Sequence, residues 1–187
     1  MKNRPFWLNL IQTAWKRRSI VWLSGVRRSG KTTLCKSLPG VDYYDCDLPS
    51  VRRALGDPEG FLLARQGKTV VFDEIHRLAD PSEFLKIAAD HFPNIRVLAT
   101  GSSSLGAAAK FRDTLTGRKT EIWLTPMMSS DLSDIGPVDL DRRLWQGGLP
   151  PFFIDLKAGE AEFQEWMDSY WSRDILELFR LERRDSF

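Results

Sequence analysis

The sequence predicts an α/β layered protein built on a mainly parallel sheet of five strands, followed by a small helical segment. Three observations carry this expectation. Short apolar runs alternate with helical or polar stretches along most of the chain. Two of those runs, Ile20-Val21-Trp22-Leu23 and Thr69-Val70-Val71-Phe72, are almost unbroken, as strands buried on both faces are. A glycine-bearing turn after the first run leads straight into a helical stretch. With 187 residues, 42% of them hydrophobic and 28% charged, the chain can bury a full core, which excludes disorder, collagen and low-complexity classes.

Phe6, Leu10, Ile11 and Trp15 recur at helical spacing, so residues 5–18 read as an amphipathic helix opened by Pro5. Lys16-Arg17-Arg18 then suits the negative end of its dipole. The strands follow as Ile20 to Leu23, Val41 to Tyr44, Thr69 to Phe72, Ile95 to Leu98 and Glu121 to Leu124. Pro81 to Phe92 reads as a crossover helix with Phe84, Leu85, Ile87 and Ala88 inward. After Pro126 the composition turns to Ser, Asp, Gly and Pro. Next, Phe163, Trp166, Met167, Tyr170, Trp171, Ile175, Leu178 and Phe179 step by three and four along a long helix expected to face a core. We therefore divide the chain into a core over residues 1–130 and a helical lid or linker over 131–187. That second part stops abruptly after Glu182-Arg183-Arg184-Asp185, as a trimmed chain leading to a further C-terminal domain would.

Charge and cysteine content narrow the setting. Twenty-seven basic against 25 acidic residues leave +2, far from the footprint of a nucleic-acid binder. The doublets Arg52-Arg53, Arg142-Arg143 and Arg183-Arg184 are scattered and read as solvated surface. Cys35 and Cys46 are too few for a disulfide scaffold and wrongly spaced for zinc, so both are expected as thiols. No apolar run suits a signal peptide or a membrane helix, which leads us to expect a cytoplasmic protein without a membrane partner.

The chemistry begins at Gly25-Val26-Arg27-Arg28-Ser29-Gly30-Lys31-Thr32, which fits the phosphate-loop spacing of glycine, four free positions, Gly-Lys and Ser or Thr. Glycines let successive N–H groups turn toward an anion, and the helix start adds positive potential. Lys31 reaches the β- and γ-phosphates, and Thr32 offers its hydroxyl to Mg²⁺. The run Thr69-Val70-Val71-Phe72-Asp73-Glu74 is a strand that delivers Asp73 to the metal, while Glu74 can polarise the attacking water. That second carboxylate argues for NTP hydrolysis over phosphate transfer to a small hydroxyl. Val97-Leu98-Ala99-Thr100-Gly101 ends in Ser102-Ser103-Ser104 at the same sheet edge. Ser102 or Ser103 orients the water or senses the γ-phosphate, or the serines cap the following helix; both readings stand.

On these residues the chain resembles the AAA+-like bacterial and archaeal ATPases that couple such a domain to a C-terminal domain of unknown function. The likeness rests on residues 25–34, on Phe72-Asp73-Glu74-Ile75-His76 and on Thr100-Gly101-Ser102-Ser103-Ser104. It continues through Leu115-Thr116-Gly117-Arg118, Gly147-Gly148-Leu149-Pro150 and Tyr170 with Arg173-Asp174. The resemblance implies a three-layer α/β/α P-loop NTPase with strand order 5-1-4-3-2, ATP as nucleotide bound by residues 25–33 (Thr33 included), and Glu74 as catalytic residue beside Lys31. It implies a nucleotide-driven switch acting on an attached domain or partner, with self-association and nucleic acid reached through that domain as open partners. The large C-terminal domain that the resemblance implies is expected beyond residue 187, and one departure stands out: Met127-Met128-Ser129-Ser130-Asp131-Leu132 stands where an aromatic-acidic segment is common.

Other readings keep their place. An ATP-binding switch with little turnover, or a small-molecule phosphotransferase, uses the same loop. Arg118, ahead of the fifth strand, is an arginine-finger candidate for a neighbouring subunit, although a structural salt bridge is the plainer expectation. Arg173 is structural or nucleotide-sensing. His76 lines the site or, the plainer expectation, is exposed, and Asp45 with Asp47 are expected to cap a turn.

Overall fold

The computed structural model describes residues 4–101, 115–132, 139–154 and 159–172. Helix α1 (Pro5–Trp15) leads into β1 (Ile20–Ser24), then α2 (Lys31–Ser37) and β2 (Val41–Asp45). Two short helices, α3 (Pro49–Ala54) and α4 (Pro58–Leu63), precede β3 (Thr69–Asp73). A 3-10 turn (Ile75–Arg77), α5 (Pro81–His91), β4 (Arg96–Thr100) and β5 (Lys119–Trp123) complete the layered body. Beyond it lie α6 (Ser129–Leu132), α7 (Leu140–Gln146), α8 (Pro150–Ile154) and α9 (Glu160–Tyr170).

The five strands form one sheet in the order β2-β3-β4-β1-β5, and every neighbouring pair is parallel. Read from the other edge this is the expected 5-1-4-3-2. Strand β4 stands between β1 and β3, with Leu23 opposite Thr100 and Phe72 opposite Ala99. The carboxyl ends of β1, β4 and β3 therefore reach one edge side by side, with the end of β4 in the middle.

Side-chain alternation divides the interior into two cores. Ile20, Trp22, Val70, Phe72, Val97 and Ala99 face α4 and α5, meeting Phe61, Leu62, Phe84, Leu85 and Ala88. Val21, Leu23, Val71, Leu98 and Ile122 face the other way, onto Trp7, Ile11, Ala14 and Trp15 of α1 and Leu34 and Cys35 of α2. That is why β1 is buried at all five positions and reads as a continuous apolar run. Each large side chain so buried contributes about 1.5–3 kcal/mol.

Three expectations change in detail. α1 ends at Trp15, so Lys16 to Arg18 lie at and beyond its cap, where the N–H groups of Arg17 and Arg18 bond the Ala14 carbonyl. α5 keeps the expected inward set except Ile87, which is only partly buried. The aromatic stripe is expected to pack on the α/β body or on something C-terminal to it; its described part is not sunk in the body, since no residue of α9 is buried and Phe163 is 44% exposed. The α9 rings meet Phe152 of α8 edge-on, Phe163 and Trp166 lying 5.4 and 5.8 Å from it, and Trp166 stacks on Tyr170. Ile175, Leu178 and Phe179 lie outside the described residues, as do Ser102, Ser103, Arg173 and Asp174.

Candidate nucleotide site

The loop between β1 and α2 is shaped by what its residues permit. Gly25 has φ +143°, and a Cβ there would run into the carbonyl of Leu124, so a side chain is excluded twice over. Arg28 and Gly30 are both left-handed, with φ 63° and 95°. Such turns aim backbone N–H groups into a common concavity, and the first N–H groups of α2 have no intrahelical partner. Ser29, between the two left-handed residues, is fully buried, and among the described residues its hydroxyl has no hydrogen-bond partner. A buried orphan hydroxyl in a loop of this curvature fits an anionic ligand. Lys31 is 8% exposed, and its ammonium donates to the carbonyls of Gly25 at 2.8 Å and Val26 at 3.1 Å. Val26, Arg27, Thr32 and Thr33 complete the segment, the two threonines being exposed on the first turn of α2.

Asp73 ends β3 at 3% exposure. Its two oxygens accept from Thr100 Oγ1 at 2.5 Å and Tyr43 Oη at 2.7 Å. Each oxygen keeps a second lone pair. Thr100 also accepts from the Glu74 N–H at 3.0 Å, so one hydroxyl on the middle strand orients both carboxylate residues. Burial, then the bond to Asp73, pushes the Tyr43 phenol far above its ordinary value, so it stays a donor. Behind α2, burial followed by the Asp73 charge raises the Cys35 thiol well above normal, and burial raises Cys46 to about 12. Both cysteines are free thiols, as expected.

Glu74 adopts φ 55°, a left-handed conformation uncommon outside glycine and met most often at functional sites. Its side chain is about one quarter exposed. His76 Nδ1 lies 3.1 Å from Glu74 Oε2, in a contact that lacks hydrogen-bond geometry. His76 is thus part of the site and not the exposed residue the sequence suggested. Asp45 caps a turn through the Asp47 N–H, and Asp47 pairs with Arg77, in keeping with the capping reading.

The oxygen-only set of Thr32 and Asp73 suits a hard cation such as Mg²⁺, with Asp73 free to accept at each oxygen once more. Among the described residues no group of three or more His, Cys, Asp or Glu offers an all-protein metal cage.

Arg118 lies at the opposite edge, beside the Lys119–Ile20 register pair, with its Nε donating to Asp90 Oδ1 at 2.7 Å. Within its own chain it is an ion-pair residue far from the loop.

The sequence reading missed Thr100, Tyr43, Arg4 and Asp131. Thr100 opens the motif Thr100-Gly101-Ser102-Ser103-Ser104, and nothing local sets its hydroxyl apart from those of the three serines. Arg4 stands 25 residues from Ser29 and 127 from Asp131, beyond any local signal.

Covering the loop is the Gly147-Gly148-Leu149-Pro150 motif. A Cβ on Gly30 would lie 3.7 Å from Pro150, and the Arg28 guanidinium sits 5.5 Å from the Phe152 ring.

Comparison with known proteins agrees with this geometry. A family model described as an AAA domain matches residues 17–132. Uncharacterized proteins of Mycobacterium tuberculosis and Mycobacterium bovis are 30% identical over 179 residues, which is 90% of this chain but 38% of each relative. The chain thus spans under two fifths of their length. A Walker-type ATPase of Pyrococcus abyssi superposes with TM-score 0.61 at 15% identity, over 98% of this chain and 76% of that one. The Hsp104–ADP complex of S. cerevisiae gives 0.55 at 18%, over 92% and 33%. At such identities these structures speak for the fold alone. No helix among the described residues is long and apolar enough to cross a membrane. The phosphate loop, the strand order and the matched residues 17–132 together make the chain a member of the AAA domain family, an AAA+-like P-loop ATPase fold with an ATP-binding domain.

Proposed function

We propose that this chain binds Mg-ATP and hydrolyses it, using the cycle to drive a conformational change in an attached domain or partner. The observation that carries the reading is the joint placement of Asp73 and Glu74 by Thr100, one strand away from the phosphate loop. Backbone amides of residues 25–33 cradle the phosphates, and Lys31 exchanges the Gly25 and Val26 carbonyls for β- and γ-oxygens. Thr32 and Asp73 hold the metal, which when bound neutralises charge on the phosphate oxygens. Glu74 accepts a proton from water as its oxygen bonds the γ-phosphorus and the bond to the ADP oxygen breaks. Positioning and electrostatics supply most of the rate.

Residues 131–187 act in this reading as a lid and linker. Pro150 and Phe152 against the loop support it, as does the greater length of the mycobacterial relatives. Self-association, Ser102 and Ser103 as water-orienting groups, and Arg118 as a finger for a neighbouring copy belong to the same proposal. A binding switch with little turnover is favoured by one contact, the His76 ring beside Glu74, which would restrain the base.

The test is ATP titration calorimetry with phosphate release on the parent, Lys31→Ala and Glu74→Gln. Hydrolysis predicts loss of turnover in both, by about 10²–10⁴-fold for Glu74→Gln with ATP still bound. Binding without release in the parent selects the switch, and no binding at all ends the reading.

A further inference from the structure

One buried guanidinium joins four separate stretches of chain. Arg4 precedes α1 and is 9% exposed, a rare state for arginine unless every donor is used. Nε and Nη2 donate to the two oxygens of Asp131 at 3.0 and 2.7 Å. Nη2 also reaches the Thr125 carbonyl at 3.2 Å. The remaining edge, Nη1, donates to the carbonyl of Ser29 at 3.0 Å, inside the phosphate loop. Asp131 is itself 4% exposed and further accepts the Met128 N–H at 2.8 Å.

The bond to Ser29 has a geometric consequence. A planar trans peptide points its carbonyl and the next N–H in opposite directions. With the Ser29 carbonyl held outward on Arg4, the Gly30 N–H is turned the other way, as an anion-binding turn needs. A flip of this peptide turns ψ of Ser29 and φ of Gly30, so the left-handed φ of 95° at Gly30 belongs to the orientation that Arg4 holds. Only a planar fork can hold a carboxylate along one edge and a carbonyl with the other; lysine cannot do both.

We propose that Arg4, locked by Asp131, is a positioning residue that presets the Ser29–Gly30 peptide for nucleotide phosphates and ties phosphate binding to the segment after β5. The inference rests on the nucleotide-binding reading above. Beyond Asp131 the tie continues, since the Met127 N–H bonds the Gly148 carbonyl at 2.6 Å and Arg143 bonds the Met127 carbonyl. By linkage, whatever factor the Arg4–Asp131 pair adds to ATP affinity, bound ATP adds to the stability of the pair.

The test measures ATP affinity by calorimetry and melting temperature on the whole chain, for the parent, Arg4→Gln, Arg4→Lys, Asp131→Asn, the double variant Arg4→Gln/Asp131→Asn and Ile11→Val. Ile11 is buried on α1 away from the loop and serves as the stability control. Arg4→Gln and Asp131→Asn should each weaken ATP on the order of tenfold, and the double variant no further. Arg4→Lys should regain melting temperature without regaining affinity, while Ile11→Val should lower melting temperature and leave affinity at the parent value. Parent affinity in Arg4→Gln, Arg4→Lys or Asp131→Asn overturns the proposal, and so does an equal loss in Ile11→Val. Should Arg4→Gln fail to fold, Arg4→Lys and Asp131→Asn decide by the same criteria. A parent that binds ATP no better than Lys31→Ala overturns the nucleotide reading, and this inference with it.

Discussion

The carboxyl edge of the sheet and the helices after β5 are built on different terms. At the sheet edge three polar groups are held from several sides: Asp73 by Thr100 and Tyr43, Lys31 by two carbonyls, Arg4 by Asp131, Ser29 and Thr125. In α7 and α9 apolar side chains face outward instead, with Leu140 68%, Leu144 71% and Trp145 89% exposed. The first region stores its precision in the two cores beneath it. The second touches the body through Pro150 beside Gly30, Phe152 beside the Arg28 guanidinium, and the bonds of Gly148 and Arg143 to Met127. Order at the site thus comes from burial, while the outer helices leave much of their apolar surface uncovered among the described residues.

The widest gap between the regions should appear in stability. Phe72→Ala removes a ring packed against Tyr44, Phe61 and Phe84, and should cost about 3–5 kcal/mol in urea unfolding. Trp145→Ala should cost at most about 0.5 kcal/mol. Equal effects would mean that α7 belongs to the same cooperative unit as the sheet.

A smaller effect tests the hold on Asp73. Tyr43→Phe removes one donor and should lower stability by about 1 kcal/mol while raising the Mg²⁺ concentration needed for half-maximal turnover. An unchanged Mg²⁺ requirement would show that Thr100 alone suffices.

Acid separates the two regions again. Burial would raise the Asp131 carboxyl, but the Arg4 fork and the Met128 N–H outweigh it and hold the group below its ordinary value. A depressed carboxylate adds stability that is present above the unfolded value, near pH 4, and is lost as pH falls through the folded value. The stability difference between parent and Asp131→Asn should therefore shrink below about pH 4. A constant difference down to strong acid would deny the pair its charge.

The smallest expected change is at Arg118. The Asp90 carboxyl is held low by its bond to Arg118, but the pair is solvent-exposed. Arg118→Ala should leave melting temperature near the parent and turnover unchanged at low protein concentration. A turnover that rises with protein concentration in the parent but not in the variant would give Arg118 a role across subunits.

Some of this was legible from residues 1–187 alone because it is local. A phosphate loop needs its glycines, lysine and threonine within eight consecutive positions, and a strand buried on both faces must be apolar until it meets the carboxylates at its end. The loop at 25–32, the pair Asp73–Glu74 and five strands follow from such short-range demands. What holds those groups does not. Thr100 comes between loop and carboxylates only because β4 inserts between β1 and β3, and Tyr43 reaches Asp73 from the neighbouring strand. Arg4 and Asp131 meet across 127 residues. Helical spacing marked the α9 aromatics as a face without saying what it faces, because periodicity records that a side chain has neighbours while only tertiary packing chooses them.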